Sequence, residues 1–367
     1  MRSLKCDHNF VIIRSREIIL LSVERWVVML TREGSSDAGR RRPKALALLS
    51  GGLDSMLAVR LLLDEGIDVE AVNFSTPFCL CNRCFLRGFA EKLNIKVHRV
   101  FLGEEFLKIV MDPPHGYGSQ MNPCIDCRIL MFKKAKELAE KIGADFIVTG
   151  EVLNERPFSQ RREAMLHIEK EAGLEGKVLR PLSAKLLPES EPERRGLVNR
   201  DRLLSIKGRR RLPQMQLARK LGIRDYLCPA GGCLLTDPRF AERLREHLKH
   251  ERDLTFEDVS LLKIGRHFRL GTVKIIVGRN EDENKKLTAI AKVLGIPRLE
   301  VAEHPGPVTL YIGEEKTDLV EKASAITVRY SDAPRNVPVK VILKRDGKEK
   351  VLETSAMRDE ELEAFRI

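Results

Sequence analysis

The sequence has no long uninterrupted run of apolar residues. The best candidate, residues 11–30, is broken by five charged side chains, whereas a membrane-spanning helix needs roughly 18 or more apolar residues in succession. No small-residue cleavage site follows this stretch, as a secretory signal would require. We therefore expect a protein without a membrane partner.

Histidine and cysteine patterns exclude further classes. The eight histidines show no H-x-x-x-H or metalloprotease spacing, and no Ser-His-Asp hydrolase signature occurs. Eight cysteines in 367 residues are too few for a secreted disulfide scaffold. Seven of them lie in short clusters, which indicates metal, iron–sulfur or sulfur chemistry in a reducing compartment. We expect a cytoplasmic location.

Positive charge is in excess over the whole chain. Lys and Arg number 65 against 53 Asp and Glu, a net charge of +12, which favours a polyanionic partner such as nucleic acid. Residues 190–224 alone contain eleven Lys or Arg. Because no aromatic residues are interleaved, this segment suits phosphate contacts better than base stacking. Its candidate RNA contacts are Arg209, Arg210 and Arg211; a solvated basic face is the alternative.

Alternating strands and helices begin at residue 44 and predict an α/β fold, a doubly wound parallel sheet with its ligand at the carboxyl ends of the strands. Short strands dominate from about residue 255 and predict a smaller α+β domain; the candidates there are residues 274–277, 308–311, 325–328 and 339–343. The chain thus divides into an N-terminal extension with a basic linker, the sheet domain, a basic middle segment, the small domain and a charged tail: residues 1–43, 44–188, 189–254, 255–345 and 346–367. The extension is assigned no function.

The clearest motif joins the first predicted strand to the first helix: Ser50, Gly51, Gly52, Leu53, Asp54 and Ser55. Two glycines let the backbone approach an anion, and a helix N-terminus offers unpaired N–H groups. The serines can add hydroxyl donors, and Asp54 suits either a Mg²⁺ contact or a helix cap. A plain strand–turn–helix junction is the alternative.

These six residues resemble the SGGxDS signature of the PP-loop ATP pyrophosphatases. The resemblance implies ATP cleaved between its α and β phosphates, a substrate activated as its adenylate, and pyrophosphate held by the loop. It also implies adenine near the end of the second strand, around Asn73 and Phe74.

Two cysteine motifs offer a set of three thiolates. Cys124 and Cys127 have C-x-x-C spacing just before a predicted helix, whose N-terminus lowers thiol pKa values. Cys233, or alternatively Cys228, follows about a hundred residues later. Three thiolates could hold a [4Fe–4S] cluster with one open iron, and the pair alone could be a zinc clip, a persulfide site or buried structural cysteines.

A third cluster, Cys79, Cys81 and Cys84, offers three thiolates within six residues. It could bind zinc or a second iron site, could remain reduced and unligated, or could join Cys124 and Cys127 in one cluster.

A PP-loop followed by N-P-C-x-x-C and a later cysteine resembles the tRNA thiolases that make 2-thiouridine or 4-thiouridine. The similarity covers roughly residues 44–250, including residues 122–132 and 229–238. It implies adenylation of a uridine carbonyl oxygen in tRNA, followed by displacement of AMP by sulfur. Thr149, Gly150 and Glu151, at a strand end, would border the nucleotide.

Residues 255–345 resemble the RNA-binding domain of the NFACT ribosome-quality-control proteins, mainly through residues 277–280 with Glu283 and Asn284. The residues expected to touch RNA are Arg266, His267, Arg269, Arg279 and Asn280. A domain that merely packs against the enzyme is the alternative.

The combined expectation is an ATP-dependent tRNA sulfurtransferase that uses ATP and Mg²⁺, with Asp54, Cys124, Cys127 and Cys233 as catalytic residues. The sulfur would come from sulfide, a cysteine desulfurase or a sulfur carrier, and a homodimer is expected as well. Two rivals stay open: a PP-loop enzyme that forms an amide or nitrile on a small molecule, and an RNA-binding protein whose loop only senses nucleotide.

Overall fold

The computed structural model describes residues 41–80, 83–224, 226 and 232–367, with no side-chain description for 83–85. The chain separates into Met1–Arg41 and one compact unit, Arg42–Ile367, to which the following fold belongs. The predictions for residues 1–40, for Cys81 and Cys228, and for the Cys84 side chain lie outside the described residues. No helix among the described residues is long and apolar enough to cross a membrane.

The first domain is built on a five-stranded parallel sheet in the order β3-β2-β1-β4-β5. In this order β2 and β3 lie on one side of β1, and β4 and β5 lie on the other. The carboxyl ends of β1 and β4 therefore form the topological switch point, where ligands bind in such folds. The elements are β1 (Lys44–Leu48), α1 (Leu53–Asp64), β2 (Asp68–Ser75), α2 (Arg83–Lys92), β3 (Val97–Phe101), α3 (Glu104–Met111), α4 (Cys124–Ile142), β4 (Phe146–Thr149), α5 (Arg162–Glu171) and β5 (Val178–Leu179).

Alternate residues of β1 serve two different cores. Ala45 and Ala47 pack with α1 and α2 on one face, while Leu46 and Leu48 pack with α4 and α5 on the other. Successive side chains of a strand point to opposite faces, so an uninterrupted apolar run is what a sheet covered on both sides requires. The predicted doubly wound sheet is confirmed.

The middle segment packs against this domain. Its helices are α6 (Glu191–Arg194), α7 (Leu212–Lys220) and α8 (Pro238–His250), and α9 (Phe256–Leu262) follows it. Ala218 of α7 is buried with Leu53 and Leu57 of α1. Phe240 of α8 is buried with Phe78, which follows β2, and with Phe106 of α3. The basic residues therefore lie on elements that are anchored around the parallel sheet.

The C-terminal domain is a six-stranded antiparallel sheet in the order β11-β10-β8-β9-β7-β6, packed with helices. This confirms the predicted smaller α+β domain. Its elements are β6 (Arg266–Leu270), β7 (Val273–Val277), α10 (Glu281–Leu294), β8 (Arg298–Val301), β9 (Thr309–Ile312), α11 (Thr317–Arg329), β10 (Val339–Arg345), β11 (Lys348–Thr354) and α12 (Asp359–Phe365).

Two expectations for this domain were wrong. Residues 325–328 were predicted as a strand but lie in α11, whose Val320, Ala323 and Ile326 are buried at helical spacing. Residues 346–367 were predicted as a charged tail, yet they complete the domain. β11 pairs with β10, and Leu362 of α12 is buried in the core. Charged residues dominate this stretch because β11 is an edge strand, where charge protects against unwanted pairing.

Candidate nucleotide and thiol site

The phosphate loop, residues 50–55, connects β1 to α1 at the carboxyl edge of the parallel sheet. Gly51 has φ +82°, a conformation that glycine adopts without strain. Ser55 Oγ donates to the carbonyl of Gly52 at 2.8 Å and lies 3.3 Å from Ser50 Oγ. Leu53 is fully buried beneath the loop. Two hydroxyls thus meet at the N-terminus of α1, where unpaired N–H groups attract anions.

The strands on either side of β1 hold this loop in place. Asn73 Nδ2, in β2, donates to the carbonyl of Leu49 at 2.8 Å, so this amide supports the loop backbone. Phe74 is partly buried against the core beside it. Thr149, at the end of β4, is buried. A Cβ on Gly150 would lie 2.4 Å from the backbone nitrogen of Ser55. Of the residues predicted to border the nucleotide, Asn73 supports the backbone just before the phosphate loop and Gly150 lies against the loop itself.

Asp54 lies in the first turn of α1 beside two arginines and a second carboxylate. Arg211 Nη2 is 3.6 Å from Asp54 Oδ2 and also pairs with Glu155. Burial and the neighbouring Glu155 raise the pKa of Asp54 to about 6, although Arg211 and Arg156 oppose the shift. Asp54 Oδ1 is buried without a hydrogen-bond partner. This oxygen fits a ligand for Mg²⁺, which prefers carboxylate oxygens.

The sequence analysis did not single out Glu155 and Arg156 as site residues, and it placed Arg211 in the RNA-binding surface. Glu155 and Arg156 follow β4 at the switch point of the sheet, and this position could have identified them as candidates. Arg211 was grouped with Arg209 and Arg210 as an RNA contact. The structure separates them, because Arg209 and Arg210 are exposed while Arg211 is half-buried beside Asp54.

A network of buried charges is centred on Arg180 and Glu151. Arg180 is almost fully buried and its Nε is 3.1 Å from Glu151 Oε2. Its Nη1 pairs with Glu169 of α5. Arg128 of α4 lies 3.4 Å from the other oxygen of Glu151. Glu151 thus joins α4, through Arg128, to the end of β5, through Arg180.

Four cysteines from three parts of the chain converge. Cys79 follows β2, Cys124 and Cys127 occupy the first turn of α4, and Cys233 follows α7. Cys79 and Cys233 are partners in an antiparallel β-bridge. The other three thiols each raise the pKa of Cys127, so all four share one electrostatic environment. None of these four cysteines is in a disulfide.

In the described part of the chain, no group of three or more His, Cys, Asp or Glu side chains is placed to hold a metal ion. Burial raises the pKa of Cys127 well above its usual range and that of Cys233 to about 12. A metal bound to these thiols would deprotonate them. The iron–sulfur or zinc site expected on Cys124, Cys127 and Cys233 therefore stays a prediction.

The parallel sheet brings the thiols and the phosphate loop to the same edge. The loop follows β1 and Cys79 follows β2, which pairs with β1 in parallel. The carboxyl ends of parallel neighbours lie at one edge of a sheet. The charge of Arg156 also lowers the pKa of both Asp54 and Cys233.

An Asp–His–His chain supports the C-x-x-C turn. Asp126, between the two cysteines, has its Oδ1 2.7 Å from His115 Nδ1. His115 Nε2 lies 2.8 Å from His167 Nε2. When the neutral His115 ring donates from Nδ1 to the carboxylate, its Nε2 accepts a hydrogen bond from His167 Nε2. No local sequence pattern predicted this Asp–His–His arrangement, because its members are distant from one another in the sequence and lack a recognisable spacing.

The C-terminal residues predicted to touch RNA have different surroundings. Arg279 is exposed and pairs with Glu283, and the exposed Asn280 caps α10. Arg266 stacks on Tyr330, 4.6 Å from the ring centroid. Arg269 bonds Glu246, and both are largely buried. His267 is 2 % exposed, so its ring is placed to support the sheet and not to contact RNA directly.

Two family models match this chain. Residues 41–185 match the family described as thiamine biosynthesis protein (ThiI). Residues 265–366 match the NFACT protein RNA binding domain. These segments correspond to the parallel-sheet domain with its phosphate loop and to the antiparallel-sheet domain.

Curated relatives share part of the first domain. The tRNA-specific 2-thiouridylase MnmA of Sulfurimonas denitrificans is 36% identical over 115 residues, which cover 29% of this chain and 34% of that protein. A probable tRNA sulfurtransferase of Thermoanaerobacter is 31% identical over 121 residues, which cover 30% of each. The chain thus spans about a third of the length of the curated relatives it matches.

A solved 4-thiouridine synthetase–RNA complex with bound ATP is 22% identical, and the match covers 60% of this chain and 52% of that one. The TM-score between the two structures is 0.32.

Proposed function

We propose that this protein is an ATP-dependent tRNA sulfurtransferase that converts a uridine to a thiouridine. The carrying observation is that an ATP-type phosphate loop follows β1 while Cys79, one of a group of thiols, follows the neighbouring parallel strand β2 at the same edge of the sheet. The two family matches support the same function, because one is to the ThiI family and the other to an RNA-binding domain.

The phosphate loop is suited to the first step. A carbonyl oxygen leaves poorly until it is activated, so the uridine oxygen attacks the α-phosphorus of ATP and pyrophosphate departs. Ser50 and Ser55 would hold the departing phosphates together with the N-terminus of α1. A Mg²⁺ ion at Asp54 Oδ1 would neutralise charge on those phosphates. Arg156 and Arg211 would add fixed positive charge beside the reacting group.

The thiols are suited to the second step. Sulfide can attack the activated carbon directly as AMP leaves. Alternatively, the outer sulfur of a cysteine persulfide attacks this carbon as AMP leaves, and a thiol then cleaves the resulting disulfide so that the outer sulfur stays on the base. The persulfide sulfur comes from a cysteine desulfurase or a sulfur carrier, and we propose a cytoplasmic location because persulfide chemistry needs a reducing compartment.

The test is incubation of the full chain with ATP, Mg²⁺, unmodified tRNA and sodium sulfide, followed by mass spectrometry of the tRNA nucleosides. Thiouridine should appear with equal amounts of AMP and pyrophosphate. The Asp54→Ala variant should yield none of these while it binds tRNA nearly as well as the parent. ATP cleavage that depends on a small carboxylate, without thiolated RNA, would overturn the proposal in favour of small-molecule chemistry.

RNA binding that survives loss of Asp54 and of every cysteine, with no ATP cleavage in the parent protein, would instead indicate a nucleotide-sensing RNA-binding protein.

A further inference from the structure

Gln214 is a buried polar side chain on the helix that packs against α1. It belongs to α7 and is fully buried. Ala218, one helical turn further along α7, packs with Leu53 and Leu57 of α1. Because residues four apart lie on the same face of a helix, Gln214 faces the N-terminal turn of α1, which carries Asp54.

The carboxamide of Gln214 has its hydrogen-bonding capacity unused. Among the described residues, neither Oε1 nor Nε2 has a hydrogen-bond partner, although the amide lies close enough to Asp54 to lower the pKa of that carboxyl. Buried amides are almost always hydrogen-bonded, because an unpaired donor or acceptor away from water is costly. Gln214 therefore has both an acceptor oxygen and an N–H donor group available to a ligand.

The surroundings of Gln214 reach solvent through two charged side chains. Asp54 and Arg211 are 14% and 20% exposed, and Arg211 Nη2 lies 3.6 Å from Asp54 Oδ2. Arg211 caps the N-terminus of α7, three residues before Gln214. A guanidinium binds phosphate with parallel N–H donors, so we expect Arg211 to turn from Asp54 to a bound phosphate. This movement opens the path to the carboxamide.

The chemistry of the carboxamide selects the kind of ligand. A phosphate offers only acceptors and a Mg²⁺ ion binds only oxygen, so each would leave half of the carboxamide unpaired. A uracil edge presents an N3–H donor beside a carbonyl acceptor, and it satisfies both halves. Adenine has a comparable edge, but ribose separates it from the phosphates of ATP. The reacting uracil carbonyl, in contrast, must come within bonding distance of the α-phosphorus at the loop.

We propose that Gln214 binds the uracil ring of the target uridine, with Oε1 accepting from N3–H and Nε2 donating to one neighbouring carbonyl. The carbonyl on the other side of N3 is then free to face the α-phosphorus. This inference rests on the proposed sulfurtransferase function and names the residue that holds the reacting base beside the phosphate loop. Gln214 is thus a specificity-determining residue supplied by the basic middle segment.

Turnover by the full chain is measured for Gln214→Leu and Gln214→Met, which fill similar space without a hydrogen-bonding amide. The kcat/KM for thiouridine formation should fall about tenfold or more in both variants, while the Kd for Mg²⁺–ATP, measured by calorimetry, stays within about twofold of the parent value. Gln216→Leu is the matched control, because this second glutamine of α7 is exposed, and it should behave as the parent does. Weaker Mg²⁺–ATP binding in the Gln214 variants would assign the carboxamide to ATP and overturn the proposal.

The base contact itself is tested by tRNA binding in the presence of a non-cleavable α,β-methylene analogue of ATP. A 3-methyl group on the target uridine removes the N3–H, and it should weaken binding to the parent and to Gln216→Leu about tenfold. In Gln214→Leu and Gln214→Met the same methyl group should change the Kd less than about twofold, because the partner of N3–H is already lost. An equal loss in the parent and the Gln214 variants would refute the contact.

The two levels of the account fail in different ways. If the parent protein makes no thiouridine, the sulfurtransferase function fails and the role of Gln214 fails with it. If the parent makes thiouridine and both Gln214 variants do so at the parent rate, only the role of Gln214 fails.

Discussion

At the residue scale, the charge on Asp54 sets the expected pH dependence. Its pKa is raised to about 6, so ATP cleavage should decline as the pH falls through about 6 and the carboxylate becomes protonated. Arg211 opposes this shift. Arg211→Gln should therefore move the acid limb of the rate profile to higher pH, measured as pyrophosphate release. The exposed Arg209→Gln serves as the control, and an unmoved limb in Arg211→Gln would contradict the placement of Arg211.

Gly150 carries the second prediction at this scale. A methyl group there would lie 2.4 Å from the backbone nitrogen of Ser55, so Gly150→Ala should displace the phosphate loop and destabilise the fold by about 1–3 kcal/mol. Gly88, in α2, has open space around it, so Gly88→Ala should be neutral or stabilise the protein by about 0.5–1 kcal/mol. Urea unfolding and ATP binding measure both; equal behaviour of the two variants would argue against the close contact.

At the scale of elements, the buried pairing of Arg180 with Glu151 and Glu169 ties the ends of β4 and β5 to α5. Arg180→Leu leaves the buried carboxylate of Glu169 without its cation and that of Glu151 with Arg128 alone, and it should cost about 3–5 kcal/mol of unfolding free energy. The exposed Arg60–Asp64 pair in α1 is the control, and its loss through Arg60→Ala should cost less than about 1 kcal/mol. Denaturant titration compares them, and a cost below that of the control would show that the network is not needed for stability.

Secondary structure was predictable from the sequence where a single local pattern determines it. The continuous apolar run of β1 indicates a buried strand, and the glycine- and serine-containing loop after it indicates a phosphate loop. The parallel sheet and residues 50–55 could therefore be predicted. The segment around Ile326 was not, because β-branched residues favour strands locally while burial at helical spacing decided the outcome. Contacts such as Arg211 with Asp54 or His115 with Asp126 depend on the folded path between distant residues, which no local pattern encodes.

At the scale of the whole molecule, RNA affinity should depend on exposed arginines and not on buried ones. The double variant Arg209→Ala, Arg210→Ala removes two exposed cations. Its tRNA affinity should fall, and the slope of log Kd against log salt should decrease by about 1.5. Filter binding over a salt series measures this. Arg269→Ala, whose guanidinium is engaged by Glu246, should leave the slope unchanged, and the reverse pattern would contradict this division of roles.

If ATP activates a uridine carbonyl oxygen at residues 50–55, that oxygen leaves the base on AMP. A tRNA with ¹⁸O at the target uridine carbonyl would reveal this transfer. We expect AMP that carries the label, in an amount equal to the thiouridine formed. Unlabelled AMP, with the label retained in the RNA or released to water, would show that the carbonyl is not adenylated.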